Sequence, residues 1–419
     1  MSLGRTGTVD WVTTPKVTGD SPITAVTGEG YFLNTTAGQI TVNLPVGVAG
    51  SIVSLADYAG TWDSNLVTVT PNGSEKIGAV AGSVFLVTED QTVTFIYVDS
   101  TQGWLNTLDS TSSIRAGNSI VATVSGACNT LATAPCCSDV KIATFKGPGT
   151  FCVSEVGGTL AENTASYMLV AGGGARQPAQ STSGGGGGGG FREYEAPGTP
   201  YTASPLDGGP GGAGCGTAAY LTVQAYPITV GAGGTPSPTG PGSQGNNSIF
   251  GAITSTGGGS GSGPPGNPSG GNTGGSGGGG GGACHGTSPG GAGNTPPVTP
   301  AQGTAGGNGV APGASYSRGG GGGGATVAGA TGAASGTGGA GATTSISASP
   351  TIYAGGGGGG SNNYTQGGPG PGGGGSGGAH PGCSGATDGT ANTGGGAGAG
   401  YSAAKNGGSG IVIIRYQFQ

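Results

Sequence analysis

Two histidines are present, and each lies near a cysteine: His285 follows Cys284, and His380 precedes Cys383 by three positions. The two pairs could in principle share a metal. The ligand spacing of a structural zinc site is absent, however, and loop polar residues are the simpler reading. Four further cysteines, Cys128, Cys136, Cys137 and Cys152, follow a C-x7-C-C-x14-C spacing that also fits no zinc signature. An odd total of seven leaves at least one thiol unpaired or bonded between chains. Glu193 and Glu195 are close enough in sequence to suggest a carboxylate pair, but a glycosidase needs two acids facing each other across a cleft. Matches to G-x-S-x-G, such as 374–378, arise from composition and lack the strand, turn and helix of a nucleophile elbow. No phosphate-binding G-x-x-x-x-G-K-[ST] run occurs. The expectation is a protein that is not an enzyme, with no cofactor and no metal.

The composition divides the chain. Glycine accounts for 106 of 419 residues, and 87 of these fall between Ser166 and Gln419. Ordinary globular chains hold about 7% glycine. From Ser166 onward the charged residues are only Arg176, Arg192, Glu193, Glu195, Asp207, Arg318, Asp388, Lys405 and Arg415. The net charge is −6. No basic footprint for nucleic acid exists. The opening residues have no apolar h-region, and no run of 18 apolar residues occurs, so neither a signal peptide nor a membrane span is expected.

Residues 8–109 read as strands. In Gln39–Leu44 apolar residues recur at every second position, the mark of a half-buried strand. Val84–Thr88 and Thr92–Val98 flank Glu89, Asp90 and Gln91 and read as a hairpin. These spacings predict a small sandwich or jelly-roll-like module over 1–110; oligomerisation or attachment is its expected task. Ser119–Val124, Val140–Phe145 and Gly149–Ser154 are strand signals in a β-rich connector over 111–165. A glycine-rich domain follows over 166–419.

Collagen requires glycine at every third position, and the blocks 184–190, 277–282, 319–324, 355–360 and 372–375 break that rule. Ordering glycine costs more backbone entropy than ordering any other residue. A bundle of polyproline-II or polyglycine-II-like helices would repay this through lateral backbone hydrogen bonds. The expected fold class is therefore an all-β sandwich module followed by such a helical bundle, with short strands, little conventional core and essentially no α-helix.

Tyr167–Gly174, Ile228–Gly234, Tyr353–Gly355 and the terminal Gly408–Tyr416 resemble the glycine-rich domains of bacteriophage tail-fibre proteins. Gly30–Thr35, Ile40–Pro45, Asn72–Ser74 and Ile96–Val98 with Trp104 resemble a β-rich domain of phage fibres. The resemblance implies a virion-surface protein assembled in the host cytoplasm. It further implies a homotrimer, contacts with other virion proteins of tail, baseplate or capsid, and a bacterial surface glycan or outer-membrane protein as receptor. Phe191, Arg192, Tyr194, Tyr201, Asn362, Asn363, Tyr364 and His380 are the receptor-contact candidates, since aromatic, Asn and Arg side chains on loops bind at modest entropy cost. A capsid-surface decoration protein without a receptor is the alternative. An ice-binding polyglycine protein is a third reading, disfavoured because regular G-X-X repeats are missing.

Overall fold

A computed structural model of the chain describes residues 9–109, 120–135, 137–157, 160–176, 182–212, 214–237, 242–263, 270–282, 286–313, 316–362, 366–379, 385–400 and 404–418. The chain divides into two compact units, Met1–Gly117 and Asn118–Gln419.

In the first unit the chain alternates between two sheets. Asp10–Val17, Glu29–Asn34 and Ile52–Asp57 lie side by side in parallel. Between them in sequence come Ile23–Thr24, Ile40–Asn43 and Val67–Thr70, which stack in parallel in the second sheet. These six strands make three successive coils. Alternation in Ile40–Asn43 buries Ile40 and Val42 and leaves Thr41 and Asn43 half-exposed. Leu33, Val53 and Leu55 from one sheet meet Ile40, Val42, Val67 and Val69 from the other in one core. Antiparallel strands complete the unit: Val84–Leu86 on Val67–Thr70, Thr92–Asp99 on Ile52–Asp57, and Gly103–Asp109 on Thr92–Asp99.

This differs from the expected sandwich or jelly roll in its parallel stacking. Periodicity says that a strand is half-buried but not which strand lies beside it. Here the turns are corners. Gly28 and Gly50 hold φ of 90° and 87°, a region that L side chains rarely enter, and pass the chain onward without reversing it. The expected hairpin across Glu89–Gln91 is likewise not formed. Val84–Leu86 belongs to the four-stranded sheet and Thr92–Asp99 to the seven-stranded one. The Asp57 carboxylate fixes the corner between them by accepting the N–H of Asp90 at 3.2 Å and that of Trp62 at 3.2 Å.

The second unit also rests on sheets. Thr130–Ala134, Cys137–Phe145, Ile411–Gln417, Thr164–Val170 and Phe191–Tyr194 lie in that order in a six-stranded sheet, whose sixth strand, Ala219–Tyr220, also pairs with Thr164–Val170. Val121–Val124, Gly149–Glu155, Gln224–Thr229, Ser248–Phe250 and Ile253–Ser255 form another. The terminal strand Ile411–Gln417 is buried on both faces: Val412, Ile414 and Tyr416 enter one core, Ile411 and Ile413 a second. Around Phe151, the rings of Phe250 and Tyr416 stand edge-on with centroids 6.4 and 5.5 Å away. Strands on either side of residue 145 are thus built into the same unit as the glycine-rich tract.

The expected bundle of polyglycine helices is overturned. Among the described residues the one helical element is the three-residue 3-10 turn Thr18–Asp20. The glycine-rich unit is a multi-sheet β structure with packed cores. The segments between the glycine blocks hold enough apolar side chains to build those cores, among them Phe191, Leu221, Ile228, Phe250, Ile346 and Tyr353. The glycine blocks are hung from the sheets.

Candidate functional site

From Ala171 the chain leaves the sheet as a glycine run with neither helix nor ladder. The N–H groups of the glycine run 184–190 are nevertheless all paired, and in an orderly way. In the run 184–190, the N–H groups of Gly184, Gly187 and Gly190 go to Ser262, Gly259 and Thr256 at 3.2, 2.8 and 2.8 Å. Those of Gly185 and Gly188 go to Gly320 and Gly323, and those of Gly186 and Gly189 to Ala397 and Gly394. Partners therefore repeat every third residue across three separate segments. Three further segments donate into the run, through Gly174 to Gly187, Gly279 to Gly185 and Gly357 to Gly186. The buried backbone is paired in all directions, as a buried backbone must be.

Side chains have no room at the glycines of the run 184–190. A Cβ on Gly184 would lie 2.0 Å from the Gly279 carbonyl oxygen, on Gly185 2.1 Å from that of Gly357, and on Gly186 2.1 Å from that of Gly174. Glycine is used here for close approach of backbone to backbone.

The lattice has two ends. One adjoins the sheets, where Ala171 bonds Gly190 at 3.0 Å and Phe191 bonds Gln302 at 2.8 Å. At the other, Arg176 bridges to Gly261, Arg318 to Ser361 and Ser361 to Ala379. The Arg176 guanidinium, fully buried, donates to the Gly400 carbonyl.

The predicted contact residues are split between these ends. Phe191, Arg192, Tyr194 and Tyr201 stand at the sheet end. Phe191 and Tyr194 are 1% and 8% exposed and belong to the two cores, so neither is available to a partner. Strand Phe191–Tyr194 pairs with Thr164–Val170, and that pairing is invisible in a segment flanked by glycine. Arg192 is half-buried and donates to the Thr254 carbonyl at 3.3 Å. The Tyr201 ring lies 5.5 Å from the Arg415 guanidinium carbon. Asn362 is at the far end, half-buried, and its Oδ1 accepts the Ser317 N–H at 2.9 Å. Asn363, Tyr364 and His380 lie outside the described residues, as do Cys284, His285 and Cys383.

The sheet end holds polar chemistry that sequence reading passed over. Glu193 is 3% exposed; its carboxylate accepts the Ser204 N–H at 2.9 Å and the Thr344 hydroxyl. Burial raises Glu193 above the usual carboxylate value, and the hydrogen bonds from Ser204 and Thr344 oppose this. Asp207, 2% exposed, accepts the N–H groups of Glu195 at 2.7 Å and Gly209 at 2.9 Å. Arg415, 1% exposed, donates to the Pro200 carbonyl at 3.1 Å. These contacts pin the loop 195–209 onto the sheet. They involve Glu193 and Glu195 in structure rather than as a facing pair over an open cleft. Among the described residues, no group of three His, Cys, Asp or Glu side chains could hold a metal. Composition flags Asp207 and Arg415 only as rare charges in an uncharged region.

A family model described as a glycine-rich domain matches residues 149–417. Its span begins with strand Gly149–Glu155 and closes with strand Ile411–Gln417, so it covers sheets and lattice together. No curated protein matches the chain.

Proposed function

The chain belongs to the glycine-rich domain family, and from that premise we propose that it is a structural, non-catalytic virion protein, a tail fibre or receptor-binding adhesin. In this reading its glycine-rich unit presents loops to a host cell surface. The protein works as a homotrimer at the virion surface, joined to tail, baseplate or capsid proteins. Its receptor is a bacterial surface glycan or an outer-membrane protein.

One observation carries the reading. Arg176, Gly261, Arg318, Ser361 and Ala379 meet in bridges at the far end of the lattice, and the glycine runs leading to them pair their N–H groups with several neighbouring runs. A scaffold of that kind holds variable loops in fixed relation at little cost to its own packing. Asn363, Tyr364 and His380 occur in the sequence between those runs. The sheet end supports the reading from the other side, since Phe191 and Tyr194 are spent on the core. The receptor-contact candidates that remain are then Arg192, Tyr201, Asn362, Asn363, Tyr364 and His380.

Two measurements test this. An antibody raised against the purified chain should label assembled virions. The purified full chain should compete with those virions for adsorption to host cells, and Tyr364→Ala with His380→Ala should weaken the competition. Labelling without competition would replace the adhesin by a decoration protein. Absence of labelling would remove the virion assignment.

A further inference from the structure

The first unit carries a cleft unrelated to the glycine lattice. It encloses about 330 Å³ and is lined by Val12, Lys16, Asp20, Pro22, Ile23, Thr24, Glu29 and Tyr31. That volume lies within the range of small-molecule pockets, about 300–1,000 Å³. All of these residues come from the first coil and the strand that follows it, Glu29–Asn34.

Polar groups supply most of the accessible lining of the cleft. Ile23 and Tyr31, 6% and 4% exposed, belong to the core, and Val12 packs against it. The Tyr31 hydroxyl is held at both ends: it accepts the Val26 N–H at 2.9 Å and donates to Glu29 Oε2 at 2.5 Å. Burial, and next the hydrogen bond to Glu29, push this hydroxyl up to about 12, so it remains a donor at neutral pH. Glu29 is thereby fixed through one oxygen while Oε1 stays available to the cleft. Asp20 is fixed in the same way. Its Oδ2 accepts the Val17 N–H at 2.8 Å, which leaves Oδ1 available. No hydrogen bond or ion pair engages the half-buried Lys16 ammonium among the described residues.

The lining therefore offers the second carboxylate oxygen of Glu29 and of Asp20, one ammonium and the Thr24 hydroxyl. Two carboxylates disfavour an anion. The ammonium beside them disfavours a simple cation. A neutral molecule with several hydroxyls satisfies both signs, because each hydroxyl donates to a carboxylate and accepts from an ammonium. We propose that this cleft is a binding site for a single neutral sugar residue, of the hexose or N-acetylhexosamine class. Glu29 and Asp20 accept from the sugar hydroxyls, and Lys16 donates to one. The site is independent of the loops at the far end of the lattice.

The test uses the purified full chain and a panel of methyl glycosides of glucose, galactose and mannose with N-acetylglucosamine and N-acetylgalactosamine. Saturation-transfer NMR reads contact, and calorimetric titration reads affinity. At least one sugar binds, and Glu29→Gln and Lys16→Met each weaken it about ten-fold, the scale of one charge-assisted hydrogen bond. Lys16→Met leaves the melting temperature unchanged, which separates lost binding from lost fold if Glu29→Gln frees Tyr31. Asn362→Ala leaves sugar binding as it was. The proposal is overturned if no sugar in the panel shows saturation transfer, or if Lys16→Met and Glu29→Gln both bind as tightly as the parent chain. It is also overturned if betaine, a zwitterion of similar size, binds the cleft and the sugars do not.

Discussion

The two units solve the same problem by opposite means. In Met1–Gly117 side chains do the packing: Leu33, Val42, Val53 and Val67 are fully buried and hold two sheets together. In the glycine runs of the second unit the backbone itself fills the interior, and a neighbour's carbonyl occupies the place where a Cβ would go. A methyl group is thus worth having in the first region and has no place at glycines such as Gly184, Gly185 and Gly186 in the second. The comparison teaches that order without side chains needs partners in several directions at once. Glycine brings little apolar burial to set against its ordering entropy. Each residue of 184–190 compensates with a paired N–H and close backbone contacts.

The sharpest way to separate the two regimes is to remove a ring from the first. Phe95→Ala should cost about 3–5 kcal/mol, the usual price of emptying a core site, read as a fall in denaturation midpoint. In the lattice the opposite change is the damaging one. Gly185→Ala places a methyl against the Gly357 carbonyl and should cost about 1–3 kcal/mol, the scale of overpacking, in a chemical melt of the second unit. A neutral Gly185→Ala would mean that the lattice is not closely packed and would dissolve the contrast.

Glu193 gives a smaller effect that belongs to the sheets beneath the lattice. Its folded pKa is raised by burial above the ordinary 4.5. The native state therefore holds a proton that the unfolded chain has already released. Glu193 contributes most below pH 4.5, and its contribution declines as pH rises from there through the folded value. Glu193→Gln should flatten that part of the stability profile, measured by melting temperature at successive pH values. An unchanged slope would assign the pH dependence to other groups. The smallest effect is expected at Gly19, where a Cβ would meet nothing within 4 Å. Gly19→Ala should change stability by less than about 0.5 kcal/mol, which makes it the control for Gly185→Ala.

The sequence disclosed strands more readily than their neighbours. Alternation places a strand over Gln39–Leu44, and a strand signal lies over Gly149–Ser154; strands Ile40–Asn43 and Gly149–Glu155 are present there. The same signal cannot tell a hairpin from a corner. The turn at Glu89–Gln91 reads as a reversal, yet Asp57, more than thirty residues earlier, fixes it as a passage between sheets. Glycine density was legible, but the way its blocks are held was not, because lateral partners such as Gly320 and Ala397 lie far off in the chain. Phe191 and Tyr194 read as exposed aromatics for the same reason. Their covering strands, Thr164–Val170 and Ile411–Gln417, come from both sides of the tract. The cleft at Lys16 and Glu29 has no motif at all, since it depends on the parallel stacking of coils.

The three-residue repeat of partners along 184–190 sets a rule of inheritance for the tract. Deleting one glycine from a run rotates every later N–H onto a neighbour that is not expecting it. Deleting three returns each N–H to its original neighbour, one step along. Length changes inside these runs are therefore filtered by divisibility, much as a coding frame filters nucleotide gaps, while the turns between runs escape the filter. Descendants of this chain can diverge freely at their turns only as long as the arithmetic of the runs is kept.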